Sequence, residues 1–383
     1  MILSGLFFGF LCKKINFPSL FGMIIAGILI GPHLLNWIDP SILSISTQIR
    51  RIALIVILIR AGLKLNIEDL KKVGRPAILM CFVPACFEIL GMILLAPKLL
   101  GLSLIDSAIL GAVVGAVSPA VVVPRMIKLI DEGYGCKQGI PQMILAGASV
   151  DDVFVIVMFT TFTGLAQGGS LSVMRFVNIP ISIVLGILVG ILAGMVFTLW
   201  MDKISTSPVI QVILLLTVSF LLNFLEEKYS WLPFAALIAI MAMGSAIRKK
   251  NKALAVKLSQ GFDQIWKIAE IFLFVLVGAS IAIDSAKSAG LKVLVLLLGV
   301  LVFRMVGVFI CVLGTKLNMK ERLFCMLAYL PKATVQAAIG GLPLAMGLAC
   351  GQTVLTVSVI AILITAPLGA FGIDLTYKKF LES

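Results

Sequence analysis

Apolar residues run along this chain in long, unbroken stretches parted only by short polar breaks. Runs of about 20 apolar residues predict helices that cross a bilayer, whereas a half-buried strand would alternate apolar and polar positions. Lipid-exposed backbone must satisfy its own hydrogen bonds, which leaves helices or a closed barrel, and the lack of alternation selects helices. The pattern therefore predicts an all-α integral membrane protein with about thirteen transmembrane helices. Their approximate limits are 1–12, 18–32, 45–64, 73–96, 103–125, 138–166 and 173–200 in the first half. The second half continues with 208–225, 232–247, 258–283, 288–314, 322–347 and 352–376. The first run rises only about 17 Å as a helix, so it implies a start further upstream or a partly interfacial helix. No basic segment precedes it and no A-x-A-like site follows it, which argues against a signal peptide.

Two runs are interrupted in matching places. Span five contains Gly115-Ala-Val-Ser118-Pro119, and span twelve contains Gly340-Gly341-Leu342-Pro343. Proline lacks an N–H to donate and glycine weakens a helix, so Pro119, Gly340, Gly341 and Pro343 are the expected helix breaks. Spans four to six and eleven to thirteen match further: Glu88 in span four and Arg304 in span eleven lie at similar depth. Seven spans separate the two triplets, so they start on opposite sides of the membrane. Interrupted helices in such inverted repeats point to a transporter site near the midplane. Each break exposes N–H groups on one half-helix and carbonyls on the other, which charged side chains at the same depth would balance.

Composition supports the lipid setting. Of the 383 residues 61% are hydrophobic and 13% charged, with a mean hydropathy of +1.16, where a soluble chain carries about a quarter charged residues. The net charge of +13 raises the question of nucleic acid. The basic residues, however, sit between apolar runs rather than in one patch, so they read as a topology signal and no nucleic-acid partner is expected. Alternate loops carry 20 lysines and arginines on one side and 7 on the other. The richer side is cytoplasmic by the positive-inside rule, with the N-terminus outside and the C-terminus inside a cell inner (plasma) membrane. The seven cysteines include no CxxC pair and lie mostly in apolar runs, so a disulfide framework or zinc site is not expected, nor any cofactor.

Candidate chemistry centres on Asp151 and Asp152, about 13 residues into span six. Two ionised, unpaired acids there would each cost several kcal/mol. Helix neighbours point about 100° apart, so one acid can face a cavity while the other meets a helix break. Such a site can hold a proton or a small cation in turn. The alternative is a structural ion pair of Asp151 or Asp152 with Arg304 or Lys332. Those two cations, with Arg60 and Lys267, fall within or at the edge of spans, where snorkelling suits Arg60 and Lys267 best. Ser118, Ser149 and Thr334 could add neutral oxygens, although such hydroxyls commonly bond their own helix.

The segment Ala-Gly147-Ala-Ser149-Val-Asp151-Asp152, preceded by Gly115-Ala-Val-Ser118-Pro119-Ala-Val-Val-Val-Pro124, resembles the monovalent cation:proton antiporter superfamily. The stretch Leu330-Pro331-Lys332-Ala-Thr334-Val-Gln336-Ala-Ala-Ile-Gly340 resembles its NHA-type sodium/proton exchangers. The likeness runs over nearly the whole chain. It implies the NhaA-like antiporter fold, in which two discontinuous helices cross within a six-helix core. The dimerisation scaffold would be 1–70 and 206–285, the ion-translocation core 71–170 and 286–383, and the linker helix 171–205. The resemblance also implies Asp152 as principal carrier of Na⁺ or Li⁺ and of H⁺, with Asp151 assisting. Glu88 would pair with Arg304, Lys332 would be a further cation at the crossing, and the protein would form a homodimer in lipid. Related electrogenic antiporters carry a lysine where Arg304 stands, and arginine does not lose its proton, which favours electroneutral exchange. Rival readings are a K⁺/H⁺ antiporter, an ion-gated sensor or channel on the same scaffold, and an intramembrane aspartyl protease. The last needs acids facing each other from separate helices, which adjacent positions do not provide.

Overall fold

The computed structural model describes residues 1–15, 17–64, 74–167, 173–204, 206–229, 234–281 and 283–382, with backbone only at 149, 173–180, 183, 227 and 283–289. Among the described residues all regular structure is helical. In chain order the helices are α1 Ile2–Lys14, α2 Ser19–Ile30, α3 Pro40–Ser44, α4 Ser46–Lys64, α5 Arg75–Met80, α6 Val83–Leu100, α7 Leu104–Val114, α8 Pro119–Glu132 and α9 Ile140–Gln167. They continue with α10 Val173–Lys203, α11 Pro208–Lys228, α12 Ala236–Lys250, α13 Lys252–Ala279 and α14 Ile283–Val312. The last four are α15 Met319–Ala328, α16 Thr334–Ile339, α17 Leu342–Ala345 and α18 Gly351–Phe380.

Each expected span falls on one of these helices or on a broken set of them. Seven stretches among the described residues are long and apolar enough to cross a membrane: Arg75–Leu100, Leu104–Glu132, Ile140–Gln167, Val184–Lys203, Pro208–Glu226, Gly290–Val312 and Gly351–Phe380. The other expected spans fall on helices that are shorter or carry more charge. Helix α4 holds Arg50, Arg51, Arg60 and Lys64, and α13 holds Lys257, Asp263, Lys267 and Glu270. The helix ends follow local chemistry. Ser103 caps α7 by accepting from the Asp106 N–H at 3.1 Å. Asn318 and Glu321 form a reciprocal capping box at the start of α15, at 3.0 and 2.8 Å.

The chain divides into two compact units. The first comprises 1–50, 68–167 and 271–383. In it α6 lies along α14 and against α7, and α9 packs on α5, α7 and α8. Helix α18 contacts α7, α8, α15, α16 and α17, so both broken helices share it as a support. Met80, Val122, Met126, Ile144, Val308 and Phe324 belong to a buried apolar cluster that reaches the site through Val117, Ala148 and Tyr329.

The second unit comprises 51–67 and 168–270. Its α10 and α12 approach closely because Gly186, Gly190 and Gly194 form a smooth stripe, and a Cβ on Gly190 would lie 2.2 Å from the Ala239 carbonyl oxygen. Small residues of this kind let apolar helices gain dispersion contact where lipid offers no hydrophobic drive. Asp263 binds Arg60 at 2.6 Å and Lys64 at 2.8 Å, so Arg60 is an ion-pair partner in this unit. The expected domain boundaries at 70/71 and 170/171 lie outside the described residues.

Candidate functional site

The first broken helix stops at Val114 and restarts at Pro119, leaving 115–118 outside helical pairing. Proline suits that restart, because the first helical position has no N–H partner to lose. The second helix stops at Ala328 and restarts at Thr334. The two breaks meet through the backbone, where the Ser118 N–H donates to the Pro331 carbonyl at 2.8 Å. The break at 329–333 was not the one expected. Gly340 and Gly341 form only a short step between α16 and α17, and Pro343 sits in the first turn of α17. Glycine pairs loosen a helix without opening it, whereas Pro331 removes a donor in the middle of the span.

Arg304, on α14 and fully buried, ties the crossing together. Its Nε donates to the Tyr329 carbonyl at 2.5 Å, and Nη1 donates to Glu88 Oε2 at 2.6 Å and to the Gly115 carbonyl. Its Nη2 donates to Asp151 Oδ2 at 3.1 Å. The same Asp151 oxygen accepts the Val117 N–H at 2.7 Å, an orphan donor of the first break. Glu88 Oε2 also accepts from Lys332 Nζ at 2.6 Å. Lys332 sits within the second break, and its N–H donates to Thr365 Oγ1 at 2.9 Å. The expected Glu88–Arg304 contact is thus present, and Lys332 joins it.

As ionised groups these four would balance, the two carboxylates Glu88 and Asp151 against the two cations Arg304 and Lys332. Asp152 is the fifth. It is buried, and it has no ion pair or hydrogen bond among the described residues. The adjacent positions on α9 therefore split as helix geometry requires, with Asp151 turned to the break and its neighbour left free. The two acids do not pair with one another as a protease dyad would.

Two of the neutral oxygens are also unengaged among the described residues. Ser118 Oγ and Thr334 Oγ1 are buried without a hydrogen-bond partner, as are Asp151 Oδ1 and Asp152 Oδ1. Neither hydroxyl is spent on its own helix. The side chain of Ser149 lies outside the described residues.

Two contributors carried no separate expectation. Gln336 donates through Nε2 to the carbonyls of Val114 at 3.1 Å and Ala116 at 2.9 Å, so it braces one break against the other. Its signal was an amide in an otherwise apolar run. Tyr329 places its hydroxyl against Gly147, one turn before Asp151 on α9, where an added Cβ would come within 2.1 Å of it. Only the absence of a side chain at Gly147 admits that approach.

Comparison with known proteins identifies relatives of the whole chain. The transmembrane sodium/hydrogen exchanger family matches residues 2–379. Human sodium/hydrogen exchanger 9B2 is 34% identical over 95% of this chain and 70% of its own length. Mouse sodium/hydrogen exchanger 9B1 is 31% identical over 95% and 66% respectively. The sodium/proton antiporter MjNhaP1 from Methanocaldococcus jannaschii superimposes with a TM-score of 0.87 at 20% identity, over 100% of this chain and 97% of that one. At that identity the match demonstrates a common fold.

Proposed function

We propose, from the premise that the chain belongs to the sodium/hydrogen exchanger family, that this multi-pass membrane protein exchanges Na⁺ or Li⁺ for H⁺ at Asp152 by alternating access. One observation carries the reading. Glu88, Asp151, Arg304 and Lys332 pair with one another, and Asp152 is a buried acid with no hydrogen bond or ion pair among the described residues. A buried carboxylate is costly while ionised and bare, so it holds either a proton or a cation as its site changes sides.

In the cycle, the proton leaves Asp152 before a cation sheds part of its hydration onto that carboxylate and nearby oxygens. Asp151 assists from its fixed position, while Ser118 and Thr334 offer hydroxyl lone pairs. The core of 71–170 and 286–383 then shifts against the scaffold of 1–70 and 206–285, with 171–205 as linker. A proton arriving on the other side displaces the cation. Arg304 stays charged throughout, because guanidinium does not release its proton in proteins. Exchange of one cation for one proton is therefore electroneutral. We place the protein as a homodimer in the plasma membrane, N-terminus outside and C-terminus in the cytoplasm.

The test is dissipation of a proton gradient in proteoliposomes by Na⁺, Li⁺ and K⁺ in turn, with the membrane potential clamped and unclamped. Sodium and lithium should collapse the gradient equally well under both conditions, and Asp152→Asn should abolish the response while the protein stays folded. Robust exchange in that variant would overturn the assignment of the carrier. A sodium-evoked current scaling with transport would overturn electroneutrality.

A further inference from the structure

A broken helix leaves carbonyl oxygens whose N–H partners are gone, and such oxygens are ready ligands for a cation. At this crossing the protein has already claimed several of them. Gly115 and Tyr329 offer their carbonyls to Arg304, and Pro331 offers its own to the Ser118 N–H. Val114 and Ala116 are taken by one side chain, Gln336, at 3.1 and 2.9 Å. Both partners of that amide are acceptors, so its nitrogen must face them and its orientation follows. A carbonyl held by a buried donor keeps a second lone pair, but its dipole is already aimed and cannot turn to an ion.

Among the described residues, buried side-chain oxygens also stay unpartnered at the crossing: Glu88 Oε1, Asp151 Oδ1, Asp152 Oδ1, Ser118 Oγ, Thr334 Oγ1, the Tyr329 hydroxyl and Gln336 Oε1. Most of these are carboxylate and hydroxyl oxygens, while the Val114 and Ala116 carbonyls are held by a donor. Few ligands of high charge suit a small cation, whereas many carbonyl dipoles suit a larger one.

We infer that Gln336 is a specificity-determining positioning residue: by holding the Val114 and Ala116 carbonyls it keeps them out of the ion's shell, and so favours Na⁺ and Li⁺ over K⁺. The inference rests on the reading that Asp152 carries the cation. Its effect is carried by the two carbonyls that its Nε2 holds.

The test compares wild type with Gln336→Met, which matches the side chain in length and has no donor. Apparent KM values for Na⁺, Li⁺ and K⁺ are measured in proteoliposomes at a clamped potential. The ratio of KM for K⁺ to KM for Na⁺ should fall about tenfold, the worth of one or two ordinary hydrogen bonds. Gln336→His, whose neutral ring has one N–H for one of the two carbonyls, should fall between wild type and Gln336→Met. If Gln336→Met does not fold, Gln336→Asn keeps an amide that stops short of both carbonyls and should move the ratio the same way. An unchanged ratio in a folded variant overturns the inference, even if all rates drop together, because that would mark a brace and nothing more. A wild type that couples no cation to proton movement would instead overturn the antiport reading itself.

Discussion

Glu88 accepts hydrogen bonds from two buried cations with one oxygen, Arg304 Nη1 and Lys332 Nζ each lying 2.6 Å away. Glu88→Gln keeps the shape of the side chain and removes its charge, leaving Arg304 and Lys332 to share Asp151 alone. At an effective dielectric near 20, each contact represents roughly 6 kcal/mol of gross attraction, much of it offset by the cost of burying the ions. Breaking a buried pair by removing one partner costs about 3–5 kcal/mol net, since an uncompensated charge is left behind. The assay is thermal unfolding of detergent-solubilised protein, read as loss of the monodisperse peak on heating. Glu88→Gln should lower the midpoint by roughly 10 °C, at about 2–4 °C per kcal/mol. The excess positive charge should also repel the transported cation and raise its apparent KM. Adding Lys332→Met removes the second orphaned ion, so the double variant should regain most of the lost stability. If Glu88→Gln/Lys332→Met is no more stable than Glu88→Gln, the balanced quartet is not what holds the crossing together.

Two further outcomes follow from the same geometry. Gly147→Ala should cost about 1–3 kcal/mol by overpacking, because its Cβ would meet the Tyr329 hydroxyl at 2.1 Å. Tyr329→Phe should rescue part of that loss in the same thermal assay, since Met80 Cβ would still lie 2.9 Å away, and no rescue at all would mean that the hydroxyl is not what the Cβ meets. Arg304→Lys should slow exchange at least about tenfold in proteoliposomes, because one ammonium cannot reach four acceptors that three guanidinium nitrogens now serve. Wild-type exchange in Arg304→Lys would show that the bridge is dispensable.

The helices were readable because lipid leaves the backbone little choice: each apolar run between polar breaks falls on a helix. The first break was equally plain, as Gly115, Ser118 and Pro119 weaken the helix within five residues. The second misled. Gly340-Gly341 is the louder pattern, yet the chain opens at 329–333, where Pro331 is the lone breaker and the rest of the cause is tertiary. Arg304 takes the Tyr329 carbonyl and Ser118 takes that of Pro331, and neither donor is near in sequence. Asp151 and Asp152 illustrate the same limit. They are chemically identical, and only the position of Val117 and Arg304 makes one of them fixed and the other free. Resemblance paired Glu88 with Arg304, but the second cation on Glu88 emerged only when the break itself was located.

The mutual bonding of the two breaks has a consequence for how the chain is made. Gln336 lies 222 residues after Val114 and 220 after Ala116, and Arg304 lies 216 after Glu88. At roughly 5–20 residues per second of synthesis, the first broken helix waits on the order of ten to forty seconds for its partners. During that interval the carbonyls at 114–116 and the Ser118 N–H lack the partners they meet in the folded protein. Unsatisfied groups of this kind cost several kcal/mol each in hydrocarbon, so the half-built protein must keep this segment in contact with water or another protein. Release to lipid can follow only when the last third of the chain arrives. The crossing thus also sets the moment at which the molecule becomes stable enough to leave the machinery that inserts it.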